Sequence, residues 1–81
     1  MNVRIVFCKP CGYTDRATSL ANEILKLYGL NGVKVTLEAG TNGIFDVYFD
    51  EEMVFSRYKE KRLPENKEIL DRLTDKLHVT A

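Results

Sequence analysis

The 81-residue sequence predicts an α/β domain in which two helices pack on a four-stranded mixed sheet, and three observations carry that prediction. Apolar residues alternate with polar ones over Val3 to Phe7, Val33 to Leu37, Ile44 to Phe49 and Met53 to Tyr58, which is the period of strands. They recur at three- and four-residue spacing over Thr14 to Tyr28 and again from Ile69 to Leu77, which is the period of helices. The order is strand-helix-strand-strand-strand-helix. A right-handed crossover makes the first two strands parallel, and a short connection makes the last two antiparallel.

Each element has its own justification. Val3, Ile5 and Phe7 share one face of the first strand, and Val6 adds an apolar residue to the other, which places this strand inside the sheet. The strand is expected to stop at Cys8. Ala17, Leu20, Ala21, Ile24, Leu25 and Tyr28 line one helix face while Arg16, Asn22, Glu23 and Lys26 meet water. Gly29 is expected to end that helix in the left-handed region, with Leu30 folding back on its last turn and Asn31-Gly32 completing the reversal. Val33, Val35 and Leu37 then read as the buried face of a second strand. Gly40, Thr41, Asn42 and Gly43 form a loop, and Asp50-Glu51-Glu52 joins the last two strands as a hairpin that lacks the usual glycine. Lys59 to Arg62 reads as a charged loop. Pro64, Glu65 and Glu68 mark the first turn of the second helix, by fixed φ and by acidic charge near its positive end.

Bulk properties narrow the function. A chain this short supports one domain, expected over residues 1–81. Twelve basic and twelve acidic residues give a net charge of zero, which argues against nucleic acid and anionic membranes as partners. No apolar run is long enough for a membrane span or the core of a signal peptide, so a cytoplasmic location is expected. Two cysteines separated by two residues do not build the multi-bridge framework of a small secreted domain. The bond between them would close too small a loop to stabilise the fold much, so the pair points to chemistry.

That pair, Cys8-Lys9-Pro10-Cys11, stands between the first strand and the first helix. A turn at that junction brings two sulfurs together and lets them cycle between dithiol and disulfide. A free thiol titrates near ~8.5, and both the positive end of the following helix and Lys9 favour its thiolate. One cysteine would attack a disulfide, sulfenic acid or selenenyl group and the other would resolve the mixed species. CxxC is also half of a zinc site, but no other cysteine exists and His78 lies far along the chain, which leaves only a zinc shared between two chains. Two buried inert cysteines are the remaining reading.

The combination Cys8-Lys9-Pro10-Cys11-Gly12-Tyr13, then Gly40 to Gly43 leading into Ile44-Phe45-Asp46-Val47, then Val54-Phe55-Ser56-Arg57 and a Pro64-Glu65 helix start, resembles the selenoprotein W-like (Rdx) family from Val3 to Leu73. The resemblance implies a thioredoxin-like fold and thiol oxidoreductase chemistry. In selenocysteine-containing members selenium occupies the second motif position, which implies Cys11 as the attacking nucleophile and Cys8 as the resolving one. Ordinary thioredoxins imply the reverse. The sequence departs from the family at Asp50, which no glycine follows, and at Lys61-Arg62-Leu63-Pro64, where relatives commonly carry Gly-Arg-Phe-Pro. No proline directly precedes the third strand.

The expected partners are protein thiols or disulfides, with glutathione or another thiol as reductant and no bound cofactor. Cys8 and Cys11 carry the chemistry, and Lys9, Pro10, Gly12, Tyr13, Thr41, Asn42 and Gly43 are candidate substrate contacts. A non-catalytic module that uses the disulfide as a redox-sensitive latch satisfies the same residues. If both helices lie on one side of the sheet, Ile44, Tyr48, Val54 and Tyr58 face outward as a partner or weak dimer surface; otherwise the chain is expected to be a monomer.

Overall fold

The computed structural model describes residues 1–78, with β1 at Asn2–Cys8, α1 at Thr14–Tyr28, β2 at Lys34–Gly40, β3 at Phe45–Phe49 and β4 at Glu52–Ser56. A single helical turn, α2, covers Arg57–Glu60, and α3 runs over Asn66–His78. The expected element order holds, with α2 as an addition at residues that read as the end of a strand and a charged loop. One turn contains too few residues to show a helical period. His78 closes α3, but the expectation for its side chain lies outside the described residues.

The sheet order is β2-β1-β3-β4, so β1 is interior, as Val6 on its second face implied. β1 pairs parallel with β2 from Asn2 opposite Lys34 to Cys8 opposite Gly40. It pairs antiparallel with β3, placing Ile5 opposite Val47 and Val6 opposite Asp46. β3 and β4 form the expected hairpin, with a bulge between Val47 and Tyr48. Asp50, at φ 56°, takes the left-handed conformation that a glycine would otherwise supply there.

Both long helices cover the same sheet face. Val3, Ile5 and Phe7 of β1, Phe45, Val47 and Phe49 of β3 and Phe55 of β4 form one core with Ala17, Leu20, Ala21 and Ile24 of α1 and Ile69 and Leu73 of α3. Tyr28 ties the helices together through a hydroxyl hydrogen bond with Thr74, and Asn66 donates to Ser19 at 3.0 Å. The start of α3 is fixed by Glu68, whose carboxylate accepts from the Glu65 backbone N–H at 3.1 Å and from Arg62 at 2.6 and 2.9 Å. This is one half of a capping box reinforced by a bidentate ion pair.

Two local expectations are corrected. Gly29 is right-handed (φ −57°) and begins a 3-10 turn over Gly29–Asn31, while Gly32 at φ 86° supplies the left-handed residue. Leu30 consequently projects into solvent and does not fold back on α1. β2 is less buried than its alternation implied: Val33 is buried, but Leu37 is 43% exposed on this edge strand, which has a neighbour on one side only.

Candidate active site

The site is assembled at the end of the sheet where β1 stops. Gly12 donates its N–H to the Lys9 carbonyl at 3.1 Å, which closes Lys9-Pro10-Cys11-Gly12 into a β-turn with proline at the position its fixed φ suits. Gly12 sits at φ 81°, a conformation that a side chain at this position would strain. Cys8 and Cys11 are joined as a disulfide with Cα atoms 5.3 Å apart, a separation within the range that a disulfide spans without backbone distortion.

The two sulfurs occupy different environments. Cys8 has 0% exposure at the end of a strand hydrogen-bonded on both sides, whereas Cys11 is exposed on the turn. Helix α1 starts only at Thr14, with Tyr13 at its N-cap, so Cys11 precedes the helix and is not part of its first turn. The helix end is therefore a weaker influence on the thiol than the sequence alone suggested, since its field falls off within a turn.

The loop after β2 is bonded to the motif. Cys8 N–H donates to the Ile44 carbonyl at 2.8 Å and Lys9 N–H to the Gly40 carbonyl at 3.1 Å. Ile44 N–H returns to the Thr41 carbonyl at 3.3 Å, and the intervening Asn42 and Gly43 both have positive φ (62° and 76°), the pattern of a tight hairpin-type turn. Thus Lys9, Pro10, Gly12, Tyr13, Thr41, Asn42 and Gly43 are brought to one end of the molecule with the cysteines. Tyr13 is half-buried and meets the Phe45 ring edge-on at 6.2 Å, so its ring serves the core as well as the site rim.

Three residues at this end were not singled out in the sequence as site residues. Arg57, at the start of α2, donates to the Gly43 carbonyl at 3.3 Å, and its guanidinium lies 5.8 Å from the Tyr13 ring centre. Beside it the Tyr58 hydroxyl donates to the Asn42 carbonyl. Asp46 is 5% exposed, and its Oδ1 has no hydrogen-bond partner among the described residues. Strict alternation assigned Asp46 to a solvated face. The apolar Val6 directly opposite it was the signal that this face is partly buried.

Among the described residues neither long helix packs on the second sheet face, and polar groups cover much of it. Arg4 pairs with Glu38 at 3.3 Å and stacks 4.2 Å above the Tyr48 ring. Ile44 and Tyr48 are half-buried there and Tyr58 is exposed, but Val54 does not join them: the bulge pairs Met53 with Tyr48 and turns Val54 against the core on the helix side. No helix among the described residues is long and apolar enough to cross a membrane.

A four-stranded mixed sheet with helices on one face and a CxxC disulfide after its first strand defines a thioredoxin-like thiol redox protein. Residues 2–75 match the Rdx family, and the chain belongs to it. Among solved structures, it is similar to a selenoprotein W-related protein from Vibrio cholerae, at 25% identity and a TM-score of 0.85, covering 91% of this chain and 92% of that one. A protein from Bordetella parapertussis has the same TM-score of 0.85 at 29% identity, covering 91% and 94%. Migration and invasion enhancer 1 from mouse is 24% identical over 71 residues, and the bovine protein of that name 28% over 71 residues, covering 88% and 85% of this chain. The chain spans 60% of the length of these two relatives.

Proposed function

We propose that this chain is a cytoplasmic dithiol–disulfide exchange protein in which Cys11 attacks and Cys8 resolves, acting on protein disulfides in cell redox homeostasis, with glutathione or another thiol as reductant. The observation that carries this reading is the asymmetry of the pair, one sulfur buried at the strand end and the other exposed on a turn. Only the exposed sulfur is open to an in-line approach by a bulky disulfide, and exchange rate follows access as well as thiolate fraction. The family's selenium position points to the same residue.

The reaction balances without a further cofactor. The Cys11 thiolate attacks a substrate R–S–S–R′, forming Cys11–S–S–R and releasing R′–S⁻, which takes a proton. Cys8 then displaces R–S⁻ from Cys11, leaving the Cys8–Cys11 disulfide and the substrate as two thiols. Two electrons pass from the dithiol to the substrate, and two equivalents of an external thiol restore the dithiol. Lys9 and Arg57 flank this end with positive charge, which favours the thiolate and acidic partner surfaces.

The test is trapping in cell extract with Cys8→Ser and Cys11→Ser. Cys8→Ser should accumulate mixed disulfides through Cys11, and Cys11→Ser should not. The opposite pattern would reverse the roles, and capture by neither would favour a redox-sensitive latch over an exchange protein.

A further inference from the structure

We infer that the β2 edge of the sheet is a pairing surface for a second copy of this chain, joined antiparallel about Thr36 so that the two sheets become one. The inference is independent of which cysteine attacks. Its starting point is an edge left open. β2 runs for seven residues, Lys34–Gly40, in unbroken register with β1, and it carries no proline. Among the described residues no strand pairs with its outer side. Lys34, Thr36, Leu37, Glu38 and Ala39 are all exposed. A long, regular edge of this kind templates the addition of another strand unless something blunts it.

The opposite edge of the sheet is blunted. β4 has five residues and pairs with β3 through a bulge. Arg72 of α3 donates to the Val54 carbonyl, and Lys76 of α3 pairs with Glu52 at 2.6 Å. These are the devices that keep an edge from pairing, and β2 has none of them.

The direction of the backbone groups fixes which β2 residues are free to bond. The Lys34 N–H donates to the Met1 carbonyl at 3.0 Å, and the Gly40 carbonyl accepts from the Lys9 N–H at 3.1 Å. Lys34, Thr36, Glu38 and Gly40 therefore turn their backbone groups towards β1, and Val35, Leu37 and Ala39 turn theirs outward. In an antiparallel pair, two opposed residues exchange both of their backbone bonds. A two-fold axis at Thr36 sets Val35 opposite Leu37 of the second copy and Leu37 opposite Val35 of the second copy. The outward groups of both residues are then satisfied, and the β1–β2 ladder is untouched.

The side chains select this register. With the axis at Thr36, Lys34 stands opposite Glu38 of the second copy, and the symmetry repeats the pair, as in any isologous contact. Both residues lie on the sheet face away from the long helices, where Arg4 already flanks Glu38 at 3.3 Å. The Glu38 carboxylate is thus set between two cations. An axis at Val35 or Leu37 would place Lys34 opposite Thr36 or Gly40 of the second copy and forfeit both charge pairs. On the helix side the same register lays Leu37, 43% exposed, beside Val35 of the second copy, and Val35 already packs at the rim of the core. This accounts for an apolar side chain left in water on a strand whose alternation implies burial. A contact of one strand pair is small, which places it among weak and transient interfaces.

The test is sedimentation equilibrium of the disulfide form from about 10 μM to about 1 mM, the range that suits a weak interface. The wild type should dimerise reversibly. Lys34→Glu and Glu38→Lys each give the two opposed positions the same sign, and each variant alone should dimerise at least about tenfold more weakly. Mixed in equal amounts, the two variants should regain the wild-type affinity, because each now meets the opposite sign at both positions, and that recovery certifies that both are folded. Amide hydrogen exchange locates the contact: Val35 and Leu37 should slow as wild-type concentration rises, whereas Thr36 and Glu38, bonded to β1, should not change. A wild type monomeric at the highest concentration, a dimer indifferent to both charge variants, or a mixture no tighter than its components overturns the inference. Concentration-dependent protection at Tyr48 and Tyr58 in place of β2 would assign the dimer to the open sheet face and overturn it equally.

Discussion

Gly40→Ala tests the packing that seals the buried side of the redox pair. Gly40 lies opposite Cys8 on β2, and its carbonyl holds the Lys9 N–H. An added Cβ would sit 2.8 Å from Ile44 Cγ2, about 1 Å inside ordinary carbon contact, and 3.4 Å from Val6 Cγ1. Overpacking of this kind costs about 1 to 3 kcal/mol. The substitution also restricts the unfolded chain, which offsets about 0.4 to 1 kcal/mol because φ at this glycine is not in the left-handed region. The net is a loss of about 1 kcal/mol, or a Tm lower by about 4 to 8 °C for a domain of this size. Thermal unfolding of the oxidised protein measures it. Repeating the substitution in an Ile44→Ala background removes the clashing methyl, and there the cost should vanish or change sign. Gly40→Ala as stable as the wild type with Ile44 intact would refute the packing argument.

Two further outcomes concern the framework. The bidentate Arg62 contact holds the Glu68 carboxyl at about 2, below its ordinary 4.5, so Glu68 stabilises the fold above about pH 4.5 and that contribution is lost as pH falls towards 2. Arg62 is about half exposed, so solvent screens the pair and the contribution is small; urea unfolding of Glu68→Gln should show a modest deficit at pH 7 that shrinks towards pH 2, and a deficit independent of pH would contradict it. Tyr28→Phe removes the hydroxyl bonded to Thr74 between α1 and α3 and should cost about 1 kcal/mol in the same assay, whereas no loss would mean that the bond does not couple the helices.

The sequence was most legible where one period dominated. Ala17, Leu20, Ala21 and Ile24 share the core-facing stripe of α1, and all four are buried. It was least legible where burial depends on neighbours distant in sequence. Leu37 obeys the alternation of a buried strand face yet is 43% exposed on an edge strand, a position that no local pattern encodes. Gly29 reads as the left-handed helix stop, but a 3-10 turn over Gly29–Asn31 intervenes and the left-handed residue is Gly32, a difference of three residues that helical periodicity does not register. Arg57–Glu60 makes one helical turn, too short to carry a period.

The redox motif followed from spacing, but the inequality of its two sulfurs did not. Both cysteines lie within the same tetrapeptide, and only the ladder that buries Cys8 between β2 and β3 separates their surroundings. Thr41, Asn42 and Gly43 were found as a glycine-bearing loop, and the backbone bonds from Cys8 and Lys9 explain why that loop belongs to the site. Asp46 escaped because alternation on β3 placed it on an apparently solvated face, and the apolar residue opposite it, Val6, lies on a strand distant in sequence.

The central claim is that Cys11 attacks and Cys8 resolves, and the rates at which the reduced single-cysteine proteins react with an aromatic disulfide at pH 7 test it most directly. Cys8→Ser, which keeps the exposed sulfur, should react at least about tenfold faster than Cys11→Ser, which keeps the buried one. Equal rates, or a faster reaction in Cys11→Ser, would contradict the account.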